Sequence, residues 1–102
     1  MMEVHPKVQK KLRRLFRKYR ERGLDLFLFG SIAESWPESR RGADLDIGYD
    51  SRQLSSNRTA IERELERDID ALPTVRPVDL VDFGTASPDF RKEALKSIRE
   101  RI

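Results

Sequence analysis

Asp44 and Asp46 stand at the start of a largely apolar run, DLDIGY (44–49), and any chemistry in this chain starts from them. Aspartate is depleted in β-strands, and an unpaired carboxylate taken out of water is costly. A spacing of two in an extended segment projects both side chains from one face, with Cα atoms roughly 6.5–7 Å apart. A third carboxylate, Asp79, falls within VDLVDF (78–83), on the strand face it shares with Val81 and Phe83. Like charges this close repel unless a cation or a proton intervenes. Three acidic groups with neither His nor Cys favour Mg2+ or Mn2+ over zinc or copper. The competing reading is structural: each aspartate caps a loop or meets an arginine such as Arg40 or Arg41. Asp50, at a strand exit, and Asp82, on the opposite strand face from Asp79, are expected at the solvated surface. A second feature is Gly30-Ser31, directly after the apolar run LDLFLF (24–29). Glycine lets a phosphate approach the backbone, while the N–H groups at a helix start and the Ser hydroxyl donate to an anion. The pair is neither a Walker loop nor a G-x-G-x-x-G fingerprint. Ser31-Ile32-Ala33-Glu34 also reads as a capping box, which needs no ligand. An Asp-x-Asp beginning thirteen residues after Ser31 favours the phosphate.

These residues need a scaffold, and the hydrophobic periodicity supplies one. Val8, Leu12, Leu15, Phe16 and Tyr19 make one stripe of a helix, with Pro6 at its first turn and Gly23 past its end. Leu24–Phe29 is too short for a helix and too apolar for an exposed hairpin, so it reads as a strand buried on both faces. Pro37 turns Trp36 away from helical geometry, which leaves a turn or two of helix over 31–36. Residues 37–43 read as a polar loop. In 44–49, Leu45, Ile47 and Tyr49 face one way and Asp44, Asp46 and Gly48 the other. A helix from Ser55 to about Leu72 carries Ile61, Leu65, Ile69 and Leu72, and 78–83 is a third strand. Ser87-Pro88-Asp89 opens a last helix whose stripe runs through Phe90, Ala94, Leu95, Ile98 and Ile102. The order α-β-α-β-α-β-α predicts an α/β or α+β domain with helices on a small mixed sheet of about three to four strands, and residues 1–102 as one domain.

Composition narrows the chemistry further. The chain has 102 residues, no Cys and one His, with 37% hydrophobic and 38% charged residues. Disulfides, thiolate metal sites, zinc enzymes and His-based triads are excluded, and a cytoplasmic location fits. No apolar run reaches the ~20 residues a membrane span needs. Residues 1–22 hold nine Lys/Arg against Glu3 and Glu21, which is +7, while the other eighty residues sum to −4. That polarity suits a nucleic acid, nucleotide phosphates or an acidic partner, or is simply a solvated helix face. Trp36 and Tyr49 are candidates for stacking on a base, with packing against the fold the more frequent fate.

LFGSIAES, ADLDIGYD and RPVDLVDF together resemble the DNA-polymerase-β-type nucleotidyltransferase superfamily, most closely its minimal nucleotidyltransferases, over roughly residues 24–84. Gly30, Ser31, Asp44, Asp46 and Asp79 match that pattern position by position. The departures are Glu34-Ser35, where members often carry Arg-Gly, and Ala43, where Ser is frequent. The resemblance implies the polymerase-β-like nucleotidyltransferase fold, with Asp44, Asp46 and Asp79 as catalytic residues holding two Mg2+ ions. It implies Gly30 and Ser31 binding the β- and γ-phosphates of a nucleoside triphosphate, with ATP as substrate. It further implies transfer of AMP to a tyrosine of a HEPN-domain toxin, for which such small proteins serve as antitoxins. Two alternatives stand beside it: an antitoxin that only binds, its site weakened by Glu34, and a nucleic-acid-binding module built on the basic helix.

Overall fold

The computed structural model describes residues 2–39 and 43–102, and the fold is built around four strands. In chain order the elements are β1 (Met2–Glu3), α1 (Pro6–Arg20), β2 (Phe27–Phe29), α2 (Ser31–Ser35), β3 (Glu38–Ser39), β4 (Leu45–Tyr49), α3 (Arg58–Asp70), β5 (Val78–Asp82), α4 (Pro88–Ala94) and β6 (Ile98–Arg99). The main sheet runs β5-β4-β2-β6, and β1 pairs with β3 in a small separate ribbon. β4 and β5 are parallel, as the α3 crossover between them requires, and the other neighbours are antiparallel.

The apolar stripes explain the layers. Val8, Leu12, Leu15, Phe16 and Tyr19 of α1 and Ile61, Leu65 and Ile69 of α3 are all buried, against Leu26, Leu28, Leu45 and Ile47 of the sheet. Each such side chain removed from water contributes about 1.5–3 kcal/mol, and that face of the sheet holds most of the core. α1 starts with His5 Nδ1 accepting from the Lys7 N–H at 3.1 Å and ends near Gly23, whose φ of +84° few other residues adopt. The interior end of Tyr19 is satisfied: its hydroxyl donates to Asp68 at 2.6 Å, and Lys18 reaches the same carboxylate at 2.7 Å. Burial pushes the Asp68 carboxyl up, but these two partners bring it below its ordinary value.

The opposite face is aromatic. Phe27, Phe29 and Phe83 pack edge to face, with ring centroids 4.8 and 5.2 Å apart around Phe83, and Phe90 of α4 closes over them. Gly48 makes room for this: a Cβ there would collide with the Phe27 ring and come within 2.8 Å of Phe83. LDLFLF therefore buries both its faces, as expected, Leu26 and Leu28 toward the helices and Phe27 and Phe29 toward α4.

Several expectations need correction. The last helix does not reach Ile102. It ends at Ala94, leaving Leu95 60% exposed, and Ile98–Arg99 pairs antiparallel with β2. The free edge of β2 offers unpaired backbone groups, and satisfying them outweighs a weak local helical pattern. Ile98 and Ile102 accordingly serve the two opposite faces of the sheet instead of one helical stripe. The segment 37–43 is not all loop, because Glu38–Ser39 pairs with Met2–Glu3. Asp50 and Asp82 are not solvated surface but half-buried connectors. Asp82 accepts the N–H groups of Ser51 (3.0 Å) and Gly84 (2.8 Å), and Asp50 caps the 3-10 turn Ser51–Gln53 and pairs with Arg52 at 2.7 Å.

Candidate functional site

The parallel register of β4 and β5 places Asp46 directly beside Asp79. Asp44, two residues before Asp46, is on the same side, and ligand oxygens from all three lie within 4.8 Å of one another. Their face is the one away from α1 and α3, since Leu45 and Ile47 point into the helical core. Among the described residues no lysine or arginine lies within 4 Å of any of the three. Arg40 and Arg41, the arginines that the structural reading would pair with them, lie outside the described residues.

Uncompensated crowding leaves a mark on the middle carboxyl. Burial first, then the charges of Asp79 and Asp44 and a hydrogen bond shared with Asp79, push Asp46 from its ordinary 3.8 up to about 6. Three carboxylate donors, no soft ligand and a repulsion that a divalent charge would relieve make this a site suited to a hard cation such as Mg2+ or Mn2+.

A consequence for stability without divalent ions follows from linkage. Between about pH 4 and pH 6 the folded protein holds the Asp46 proton that the unfolded chain has released, so the Asp46 contribution falls as pH rises through that window. Above about pH 6 both states have lost it, and the penalty is complete. Asp46→Asn has no proton to lose. It is expected to match the parent near pH 4 and to exceed it in stability near pH 7, as read from urea midpoints. An advantage of equal size at both pH values would refute this electrostatic account.

Gly30 connects the carboxylates to α2. Its backbone sits at φ 72°, ψ −157°, a region open essentially to glycine alone, and a Cβ there would lie 2.8 Å from Asp46 Oδ2. Gly30 is itself the N-cap of α2 and no side chain caps the helix, so the capping box does not form. Ser31 comes one position too late to cap, and its side chain stays exposed. Glu34 does not return to the helix start. Its Oε1 accepts from Ser97 Oγ at 2.6 Å. Gly30, Ser31 and Glu34 form one wall of a cleft of about 510 Å³, with Phe90, Lys96 and Ser97 opposite. The second wall was not readable from spacing, because it depends on β6 folding back along β2. The Gly30 N–H donating to the Ser97 carbonyl at 3.2 Å records that contact. Trp36 and Tyr49 are not poised to stack on a base. Trp36 packs against the main core, and Tyr49 is buried with its hydroxyl donating to Glu62 at 2.8 Å.

Comparison with known proteins agrees with this geometry. The sequence profile of the family described as polymerase beta, nucleotidyltransferase matches residues 10–100. A solved structure described as a minimal nucleotidyltransferase shares the fold with a TM-score of 0.63 and 25% identity, covering 93% of this chain and 96% of that one. No curated protein matches the chain at a significant level.

Proposed function

The chain belongs to the polymerase-β nucleotidyltransferase family, and from that premise we propose that it transfers a nucleoside monophosphate, AMP, from ATP to a hydroxyl of a partner protein. The observation that carries this reading is the convergence of Asp44, Asp46 and Asp79 within 4.8 Å beside the Gly30 turn. Asp44 and Asp46 would hold two Mg2+ ions, with Asp79 completing the site. Bound there, the ions lower the pKa of the attacking hydroxyl and neutralise the departing pyrophosphate. The Ser31 hydroxyl, with the N–H groups of Ser31 and Ile32 at the uncapped start of α2, would hold the β- and γ-phosphates. That leaves the α-phosphorus presented for in-line attack.

The step balances simply. The acceptor oxygen forms a bond to the α-phosphorus, the bond from that phosphorus to the bridging oxygen of the pyrophosphate breaks, and the hydroxyl proton passes to the Asp79 carboxylate. Products are the nucleotidylated acceptor and pyrophosphate. We take the acceptor to be a HEPN-domain toxin and this chain its antitoxin, a reading supported by the similarity over 93% of this chain to a structure described as a minimal nucleotidyltransferase. Among those residues no helix is long and apolar enough to cross a membrane.

The test is incubation of the chain with a HEPN-domain partner, α-labelled ATP and Mg2+. Label should move to the partner, with a mass gain of one AMP and release of pyrophosphate, and chelation should stop both. Label that stays on ATP, or transfer indifferent to chelation, overturns the reading.

A further inference from the structure

The fold sets two groups apart within the positive charge of the N-terminal segment. On the side of α1 that meets α3, Lys18 lies 2.8 Å from Glu64 and 2.7 Å from Asp68, and Arg22 pairs with Glu64 at 2.5 Å. Those cations are already matched. Arg13, Arg17 and Arg20 follow at i, i+4 and i+7, along a different line of the helix. With Arg101 they wall a cleft of about 430 Å³ whose floor is Phe16 and Ile102, and no Asp or Glu side chain lines it. Among the described residues Arg13, Arg17 and Arg101 enter no ion pair within 4 Å. Arg20 is partly engaged, reaching the Glu100 carbonyl at 3.5 Å and standing 3.9 Å from Asp25. The cleft lies behind the sheet from the aspartates, because α1 covers the opposite face.

We propose that this arginine-walled cleft binds the phosphodiester backbone of a single-stranded nucleic acid. Guanidinium groups present planar forks of donors that match phosphate oxygens two at a time. Arg13 to Arg20 spans about 10 Å of helix axis, which is roughly three nucleotides of one strand at about 3.4 Å each. A cleft of this size takes one chain and not a duplex. A nucleic acid carries a charge on every unit whatever its sequence, so one short segment engages all the arginines of the cleft. An acidic peptide does the same only with an uninterrupted run of Asp or Glu. Nothing in this argument depends on the transferase reading, and the cleft shares no residue with that site.

The experiment is fluorescence anisotropy of the full chain with an end-labelled oligouridylate of about twelve nucleotides, across NaCl from about 50 to about 200 mM. Three phosphates engaged at about 0.7 each give a log–log slope near about −2, a loss of roughly 20-fold in affinity over that range. Arg13→Gln with Arg17→Gln should reduce the slope to about −0.7 and remove most of the binding. Lys7→Gln with Lys11→Gln changes the net charge equally, on the line of α1 that leads to Lys18, and should leave the slope intact. All four side chains are exposed, and circular dichroism of both doubles establishes that the fold is kept. Equal losses in the two doubles would mean a diffuse field and overturn the proposal. So would failure to bind the oligonucleotide while polyglutamate binds through the same arginines.

Discussion

Exchanging Asp44 and Asp46 together for asparagine should lower nucleotide transfer by roughly a thousandfold or more while leaving a folded protein. The size follows from what the pair contributes. Cation-assisted charge stabilisation in such chemistry amounts to several kcal/mol, and each ~1.36 kcal/mol is a factor of ten in rate. Asn keeps the shape of Asp but offers one neutral carbonyl oxygen, so two of the three negative charges in the cluster vanish. The fold has little to lose. Neither carboxylate is within 4 Å of a described cation, and burial together with the charges of Asp79 and Asp44 raises Asp46 to about 6. Incorporation of labelled nucleotide measures the rate, and a thermal melt at neutral pH shows that the double variant is folded. If the proposed HEPN-domain toxin is the acceptor, toxin neutralisation supplies a second readout. A catalytic antitoxin protects in less than stoichiometric amounts, and the double variant should protect only at equal amounts or not at all. If the double variant still neutralises substoichiometrically, or transfers at an undiminished rate, the aspartates are not the catalytic groups.

The aspartates were readable in the sequence because strands rarely carry them, and three in apolar runs are hard to explain by packing alone. Their meeting was implied by the family resemblance and by nothing in the spacing. It depends on the parallel pairing that sets Asp46 against Asp79, and period-two alternation in each strand is blind to which strands become neighbours. The helices α1 and α3 were legible for the converse reason, since each buries a stripe whose spacing is local. The C-terminal stretch failed because its apolar residues fit a helix and an edge strand equally. The choice was made by the open edge of β2, a distant partner. The same blindness hid the second wall of the cleft: Lys96 and Ser97 have no signature until β6 brings them across from Ser31. Asp82 misled in the other direction. An acidic residue on the strand face opposite Asp79 looks solvated, yet the N–H groups of Gly84, in the turn after β5, and of Ser51, just past β4, donate to it.

Gly30→Ala should cost transfer about a hundredfold, and a companion substitution separates the cause from simple strain. Two effects coincide at this position. The backbone at φ 72°, ψ −157° is one that an L-residue occupies at a cost of about 1–3 kcal/mol. In addition the new Cβ would lie 2.8 Å from Asp46 Oδ2, inside van der Waals contact, so either the turn or the carboxylate must shift. A displacement of about 1 Å in a group that must act on a positioned α-phosphorus is worth about a hundredfold in rate. Gly23→Ala isolates the first effect. Gly23 also has a positive φ, +84°, but a Cβ there meets nothing within 4 Å. Both variants should therefore melt at lower temperature than the parent, while only Gly30→Ala loses transfer and binds Mg2+ more weakly. Should both lose activity in proportion to their stability, the contact between Gly30 and Asp46 has no role beyond the fold. Should neither lose activity, Asp46 tolerates displacement, and the tight placement of that carboxylate under the turn is not what the reaction requires.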